Sequence, residues 1–392
     1  MERFRFYTPT EVEFGKDAEL VTGQIAAKYG KKALLVYGKG SVVKSGLLGR
    51  VEQSLEAAGV AFEEFGGAKP NPTLAHAKEG VQKALSFGAD MIIGVGGGSA
   101  IDTAKAIAHG AGNPDQDLWA LWTRKAEIKT SLPVGAVLTI AAAGSEMSDS
   151  AVLTNEEMGK KAGINTEFNR CRFAIMNPAL AKTLPAEQIA AGITDIMMHT
   201  MERYFIPDSN CDLTDEIAEG LLRTMVKNGP KAMADPSDEN AMGEIFWASS
   251  LSHNNLTECG RGKDFSVHKL GHALSARYDV THGASLSAVW GSWARELMDG
   301  ATARFVRFAE SVWGIKEGTD EEKALSGIEA AEAFFKSIHM PVSLRELGVS
   351  PTEEEIKLLA LDATMQDSVK LSRIRPLDAA AVEKIYRAAM KR

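Results

Sequence analysis

The residues of this chain that could do chemistry are unevenly placed. Of its eight histidines, four fall in two short windows of the second half, and one window adds a carboxylate at helical spacing. Asp195 and His199 stand four apart in GITDIMMHTME, so on a helix both side chains leave the same face and can grip one ion. The second window, VHKLGHALSARYDVTHGAS, carries His268 and His272, again four apart, and then His282. A carboxylate with three imidazoles is an ordinary ligand set for Zn²⁺ or Fe²⁺, and it leaves a coordination position for substrate. Spacing does not choose which three of the four histidines ligate. His76, His109, His253 and His339 are isolated and read as ordinary packing or surface residues.

Glycine points to a second chemistry. In DMIIGVGGGSAIDTAKAIAHG, Gly96, Gly97 and Gly98 separate a predicted strand from a predicted helix that begins near Ser99. A turn without Cβ atoms lets backbone N–H groups and the positive end of a helix approach a pyrophosphate closely. The pattern departs from GxGxxG, since Ser99 stands where the third glycine belongs, and such a turn can also serve strand-to-helix geometry alone. Asp102, one turn into the helix, is placed to cap or orient the loop. A second turn, Tyr37-Gly38-Lys39-Gly40-Ser41, follows an earlier predicted strand, where nucleotide folds meet the adenosine ribose. NAD sites often put an acid there. Lys39 and Ser41 instead offer a cation and a hydroxyl, which suit a 2′-phosphate, so NADP(H) is the expected cofactor and NAD the other candidate.

The elements that must position these residues follow from periodicity. Short Val- and Ile-rich runs predict strands at Lys32–Tyr37, Ala61–Phe65, Asp90–Val95 and Val134–Ile140. Between them, Leu47, Leu48, Val51 and Leu55, and then Ala77, Val81, Ala84 and Leu85, repeat at helical spacing. This is the pattern of βα units on a parallel sheet. From Leu184 the character changes: Pro185 opens a helical run that Pro207 ends, and helical spacing continues to the end of the chain. The expected organisation is an α/β dinucleotide-binding domain, Rossmann-like with a parallel sheet, over 1–183, and an all-helical metal-binding domain over 184–392.

Composition excludes several classes. With 52 acidic against 44 basic residues and a net charge of −8, the chain lacks the clustered cations that nucleic acid demands. No run approaches the roughly 18 uninterrupted apolar residues of a bilayer span. Cys171, Cys211 and Cys259 are too few and too scattered for a disulfide framework. The expectation is a soluble, cytoplasmic enzyme with no nucleic-acid or membrane partner.

A co-linear series of motifs runs through almost the whole chain: FYTPTEVEFG at Phe6–Gly15, PNP at Pro70–Pro72, GGGSAID at Gly96–Asp102, AGSE at Ala143–Glu146, and the DxxxH and HxxxH…H sets. In these the chain resembles the iron-containing (group III) alcohol dehydrogenases of the dehydroquinate synthase-like superfamily, and most of all their NADPH-dependent aldehyde reductase and butanol dehydrogenase branch, through the YGxGS turn. The resemblance implies that Asp195, His199, His268 and His282 hold one divalent metal, with His272 beside it as a proton relay. It assigns cofactor contacts to Gly38, Ser41, Asn71, Gly97, Gly98, Ser99, Thr139, Ser148 and Lys161. One departure stands out: Ile140 and Ala143 replace residues that usually carry hydroxyls, which leaves backbone contacts to the cofactor there. The implied reaction is hydride transfer between NADP(H) and a small aliphatic aldehyde or primary alcohol such as butanal or butanol, in a homodimer, where the two halves meet.

Two related enzymes share that architecture, an NAD-dependent polyol dehydrogenase and a lyase of the dehydroquinate synthase type. A lyase acting on a phosphorylated acid calls for extra Lys and Arg, whereas the metal windows are flanked by Met197, Met198, Leu270 and Ala273. A dinucleotide sensor without turnover has no need of the complete metal set. Phe246, Trp247, Asn254 and Phe265 are the candidates for closing the substrate site, each equally suited to the core.

Overall fold

The structure, a computed structural model, describes residues 1–207 and 210–391, which divide into two compact units. One is Tyr7–Thr183; the other runs from Leu184 onward and includes Met1–Phe6. The opening hexapeptide thus departs from a division that starts the first domain at residue 1. Its contacts explain this: the Glu2 N–H donates to Gly260 O at 2.8 Å, and the Glu2 carboxylate pairs with Arg373 at 2.9 Å.

The Tyr7–Thr183 unit contains strands β1 (Glu11–Phe14), β2 (Lys32–Tyr37), β3 (Ala61–Phe65), β4 (Met91–Gly96), β5 (Val134–Leu138), β6 (Ser150–Asn155), β7 (Lys160–Asn165) and β8 (Phe173–Met176). Six of them form one sheet in the order β1-β8-β5-β4-β2-β3, with every neighbouring pair parallel. β4 and β5 are buried at every position, as central strands of a parallel sheet covered on both faces must be, whereas the edge strand β3 is largely open. β6 and β7 pair antiparallel as a separate hairpin. The helices are α1 (Thr22–Ala26), α2 (Ser41–Lys44), α3 (Leu47–Ala57), α4 (Leu74–Phe87), α5 (Gly98–Gly112) and α6 (Leu118–Trp122).

β2 and β3 fall where periodicity placed them, β4 lies one residue later, and β5 stops at Leu138. Periodicity misses β1 and β8, which are only four residues long, and the hairpin, whose alternation of buried Ala151, Leu153 and Asn155 is nevertheless written in the sequence. On α4 the buried stripe includes Leu74, while Leu85 turns out to solvent, 42% exposed.

The second unit is helical: α7 (Ala186–Tyr204), α8 (Asp212–Ala234), α9 (Glu239–His253), α10 (Ser266–Tyr278), α11 (His282–Leu297), α12 (Thr302–Trp313), α13 (Asp320–Ser337), α14 (Glu353–Ala363) and α15 (Ala379–Met390). α7 is its axis, buried at every residue from Ile189 to Tyr204. Its C-terminal end is closed by Arg304, which donates to Tyr204 O through Nε at 3.0 Å and Nη2 at 2.6 Å. Asp215 on α8 neutralises Arg304 and Arg261, so these charges lie buried but paired. Among the described residues no helix is long and apolar enough to cross a membrane.

His109, near the end of α5, is fully buried: Nε2 donates to Asn169 Oδ1 at 2.7 Å, and Nδ1 lies 2.9 Å from the Ser131 hydroxyl. The Asn169 amide in turn donates to Asp149 O and Ile164 O, so the ring ties α5 to the hairpin. Burial pushes its pKa down to about 4 from an ordinary 6.5. Below the ordinary value the unfolded chain therefore takes up a proton that the folded chain refuses, and stability present above pH 6.5 is lost as pH falls toward 4. Denaturant unfolding across that window should lose about 3 kcal/mol through this residue. His109→Gln should flatten the profile by that much, and an unchanged slope would contradict the assignment.

Candidate functional site

In a helix buried all round, every polar side chain needs an answer. Along α7, Thr194 donates to Ala190 O and Thr200 to Ile196 O, Arg203 reaches His199 O and Glu258, and Glu202 accepts from His268. Asp195 Oδ1 and His199 Nδ1 are buried and have no hydrogen-bond partner. Imidazoles converge on that oxygen: His268 Nε2 at 3.4 Å, His282 Nε2 at 3.6 Å and His199 Nδ1 at 3.6 Å. The ligand atoms of Asp195, His268 and His282 all lie within 4.8 Å of one another. A divalent cation fits this donor set, since it would answer at once a buried carboxylate oxygen and the buried His268 Nε2 that otherwise go unmet. His199 stands beside the group, its ring stacked between His253 at 4.0 Å and His268 at 4.5 Å, and burial followed by those neighbours pushes its pKa well down, leaving it neutral.

Glu202 is the residue that spacing missed. It lies two turns beyond Asp195 on the same face, accepts His268 N–H at 3.2 Å, and meets His268 Nδ1 in a short contact. A carboxylate on one ring nitrogen fixes the tautomer and turns the other toward the metal position. Burial opposes protonation of His268, but Glu202 and Asp195 outweigh it and hold the pKa up to about 9, so a cation entering the site displaces a proton. The carboxylate at i+7 from Asp195 was a readable signal; that it meets His268 was not. His253, an apparently isolated histidine, is also part of this cluster through its stack on His199.

His282 opens α11 and reaches Asp195 because Gly283 follows it. A Cβ on Gly283 would lie 2.3 Å from Ala191 O on α7, so only glycine lets the two helices approach this closely. His272 is half-buried, its ring 5.1 Å from that of His282 and 6.0 Å from that of His268. Of the four residues proposed to close the site, Phe265 is there, 4.8 Å from the His268 ring. Phe246 is core, the Asn254 carboxamide caps Leu256 N–H, and Trp247 is 41% exposed.

In the other unit the glycine turn leads directly into α5. Gly97 lies beneath Ile140, whose Cγ2 would be 2.4 Å from an added Cβ, and Thr139 N–H donates to Gly96 O at 3.0 Å. The first-turn N–H groups of α5, including those of Gly98 and Ser99, point out of the helix end without intrahelical acceptors. The Ser99 hydroxyl donates to Pro70 O, and Lys161 Nζ donates to Asn71 Oδ1 at 3.0 Å, which gathers these four residues at the head of α5. A diphosphate fits a glycine turn, a helix N-terminus and a lysine arranged in this way. Lys39 and Ser41 are exposed beside Gly38 and Gly40, and Gly40 has φ 115°, open only to glycine.

Two further residues near the turn face inward. Asp102 accepts from the Ser145 hydroxyl at 2.6 Å and from Val152 N–H at 2.9 Å, so it braces the loop. Ser148 is buried with its hydroxyl on Ser150 O. Lys105, which periodicity does not single out, is fully buried and donates to Ser145 O, Ser145 Oγ and Ser150 O at 2.7–2.9 Å.

Residues 9–178 match the family described as iron-containing alcohol dehydrogenase, and residues 189–390 match the C-terminal part of the Fe-containing alcohol dehydrogenase family. The chain belongs to the iron-containing alcohol dehydrogenase family. It is therefore an oxidoreductase of a family that uses NAD(P)H and a divalent metal. It is 36% identical to NADH-dependent butanol dehydrogenase A of Clostridium acetobutylicum over 389 residues, 99% of each chain. It is 34% identical to the NADPH-dependent aldehyde reductase YqhD of Escherichia coli, over 89% of this chain and 90% of that one. The crystal structure of NADH-dependent butanol dehydrogenase A from Thermotoga maritima superposes with a TM-score of 0.94 at 34% identity, covering 100% of this chain and 99% of the other.

Because the α7–α11 approach admits no side chain at Gly283, Gly283→Ala should cost about 1–3 kcal/mol in unfolding free energy and lower metal occupancy by displacing His282. Unfolding curves with elemental analysis test this; wild-type stability and metal content would refute the packing reading.

Proposed function

We propose that this protein is a metal-dependent aldehyde reductase and alcohol dehydrogenase that prefers NADP(H) and acts on small aliphatic aldehydes and primary alcohols such as butanal and butanol. The observation that carries the reading is the buried, unanswered Asp195 Oδ1 with three imidazole nitrogens turned on it. Asp195, His199, His268 and His282 would hold Fe²⁺ or Zn²⁺, and residues 184–392 would be the metal-binding domain. Residues 1–183 would hold the dinucleotide through Gly38, Lys39, Ser41, Asn71, Gly97, Gly98, Ser99, Thr139 and Lys161, with Asp102 and Ser148 acting from behind the loop. When bound, the metal supplies Lewis-acid polarisation of a carbonyl and the dinucleotide supplies the hydride.

The chain's own residues do the rest. Glu202 keeps the His268 ring oriented, and Met197, Met198 and Leu270, which flank the histidines in sequence, are buried apolar residues. The half-buried His272 carries the proton that the carbonyl oxygen gains on reduction, its side chain being the type that titrates near neutrality. The apolar surroundings favour an uncharged, aliphatic substrate over a phosphorylated acid. Cofactor choice rests on this chain's residues, since relatives of similar identity are named for NADH and for NADPH. Lys39 and Ser41, exposed where an acid would select NAD, support NADPH. The family resemblance supports a cytoplasmic homodimer.

Butanal-dependent oxidation of NADPH should exceed that of NADH and disappear on chelation. Lys39→Ala should reduce the preference about tenfold, the worth of one charge-assisted hydrogen bond. A clear NADH preference in the wild type would overturn the cofactor assignment. Independently, His272→Ala should retain its metal while kcat falls about a hundredfold; full turnover at every pH would remove the relay role.

A further inference from the structure

Phe265 immediately precedes α10, and thus His268, in a conformation that aromatic residues rarely adopt, φ 62° and ψ 19°. Strain of this kind survives only where the surroundings over-determine it. Its ring is wedged against the site, 4.8 Å from the His268 ring, 5.9 Å from that of His199, and beneath the Arg203 guanidinium at 4.8 Å.

What over-determines it is Asp264. One carboxylate oxygen accepts the Ser266 N–H at 2.9 Å, in the first turn of α10. The other accepts the Ser372 hydroxyl and the Arg373 N–H, both at 2.8 Å, from a segment more than a hundred positions away. Its own N–H donates to Glu202 O at 3.0 Å, the residue whose side chain orients His268. Arg373 then spans Arg261 O at 2.7 Å and the Glu2 carboxylate at 2.9 Å. Asp264 thereby joins three segments, its carboxylate holding the start of α10 to the 372–373 segment and its backbone N–H tying both to the axis helix α7.

We propose that Asp264 is a positioning residue of the metal centre: its carboxylate locks Phe265 and the first turn of α10 so that His268 presents Nε2 to Asp195 before any metal arrives. The proposal rests on reading Asp195, His199, His268 and His282 as the metal ligands. Removing the carboxylate frees the loop to relax toward an ordinary backbone, and His268 must then be reordered whenever metal binds.

The experiment strips and reloads purified wild type, Asp264→Ala, Asp264→Asn and Ser372→Ala with Co²⁺, following the visible absorption bands and competition with a chromophoric chelator. NADPH affinity is measured in parallel by fluorescence. Asp264→Ala should bind Co²⁺ about 10–100-fold more weakly, with altered bands and unchanged NADPH affinity. Asp264→Asn should lie between, because its amide sets a donor against either Ser266 N–H or Arg373 N–H, and Ser372→Ala, which removes one bond of several, should lie nearest wild type. Wild-type Co²⁺ affinity and bands in Asp264→Ala, or in Asp264→Asn should the alanine variant not fold, would overturn the proposal. So would a parallel loss of Co²⁺ and NADPH affinity, which marks general unfolding. A wild-type protein that takes up no Co²⁺ at all would overturn the ligand reading itself, and this inference with it.

Discussion

An unanswered carboxylate oxygen in the buried stretch of a helix is expensive, and the helical unit is organised around that one atom. Asp195 Oδ1 sits on α7 where every neighbour is core, yet no protein donor meets it. The imidazoles that approach it come from three helices: His199 from α7 itself, His268 from α10 and His282 from the first turn of α11. A divalent cation would satisfy that oxygen, and metal binding would then add to the stability of this unit.

The constraint propagates outward as a set of orientations. Glu202 fixes the ring of His268, Gly283 lets α11 close on α7, and Phe265 is held against the imidazoles by hydrogen bonds from distant segments. The α/β unit shows the same design with different groups. There the glycine turn is left as bare backbone, while Asp102 and the buried Lys105 clamp the neighbouring Ser145–Ser150 loop from behind. In both units buried polar groups spend their hydrogen bonds on the frame around the candidate site.

Much of this was legible in the residues. The i, i+4 pairs on α7 and α10 bring candidate ligands onto one face of each helix because helical spacing projects them together, and the Val- and Ile-rich runs of β2 and β4 announce a parallel sheet because both faces must be apolar. What was illegible depended on partners remote in sequence. Asp102 was placed to orient the turn, but that its partners are Ser145 and Val152 no spacing shows, and the Ser148 hydroxyl turns to Ser150 O. His253 is isolated in sequence and stacked on His199 in space. β1 and β8 are too short to display a period, and they form because they pair with each other along Glu11–Phe14 and Phe173–Met176.

The sequence by itself pointed to the class of chemistry, a divalent metal and a dinucleotide, because local spacing decides which side chains share a helix face and where backbone lies bare. Its co-linear motifs likewise determined the family. Only the tertiary structure decided which histidines converge on Asp195 Oδ1, that Glu202 orients one of them, and that Asp264 braces the approach. Those are contacts between segments as far apart as Glu202 and His268 or Asp264 and Ser372, and no local period encodes a distance across the core.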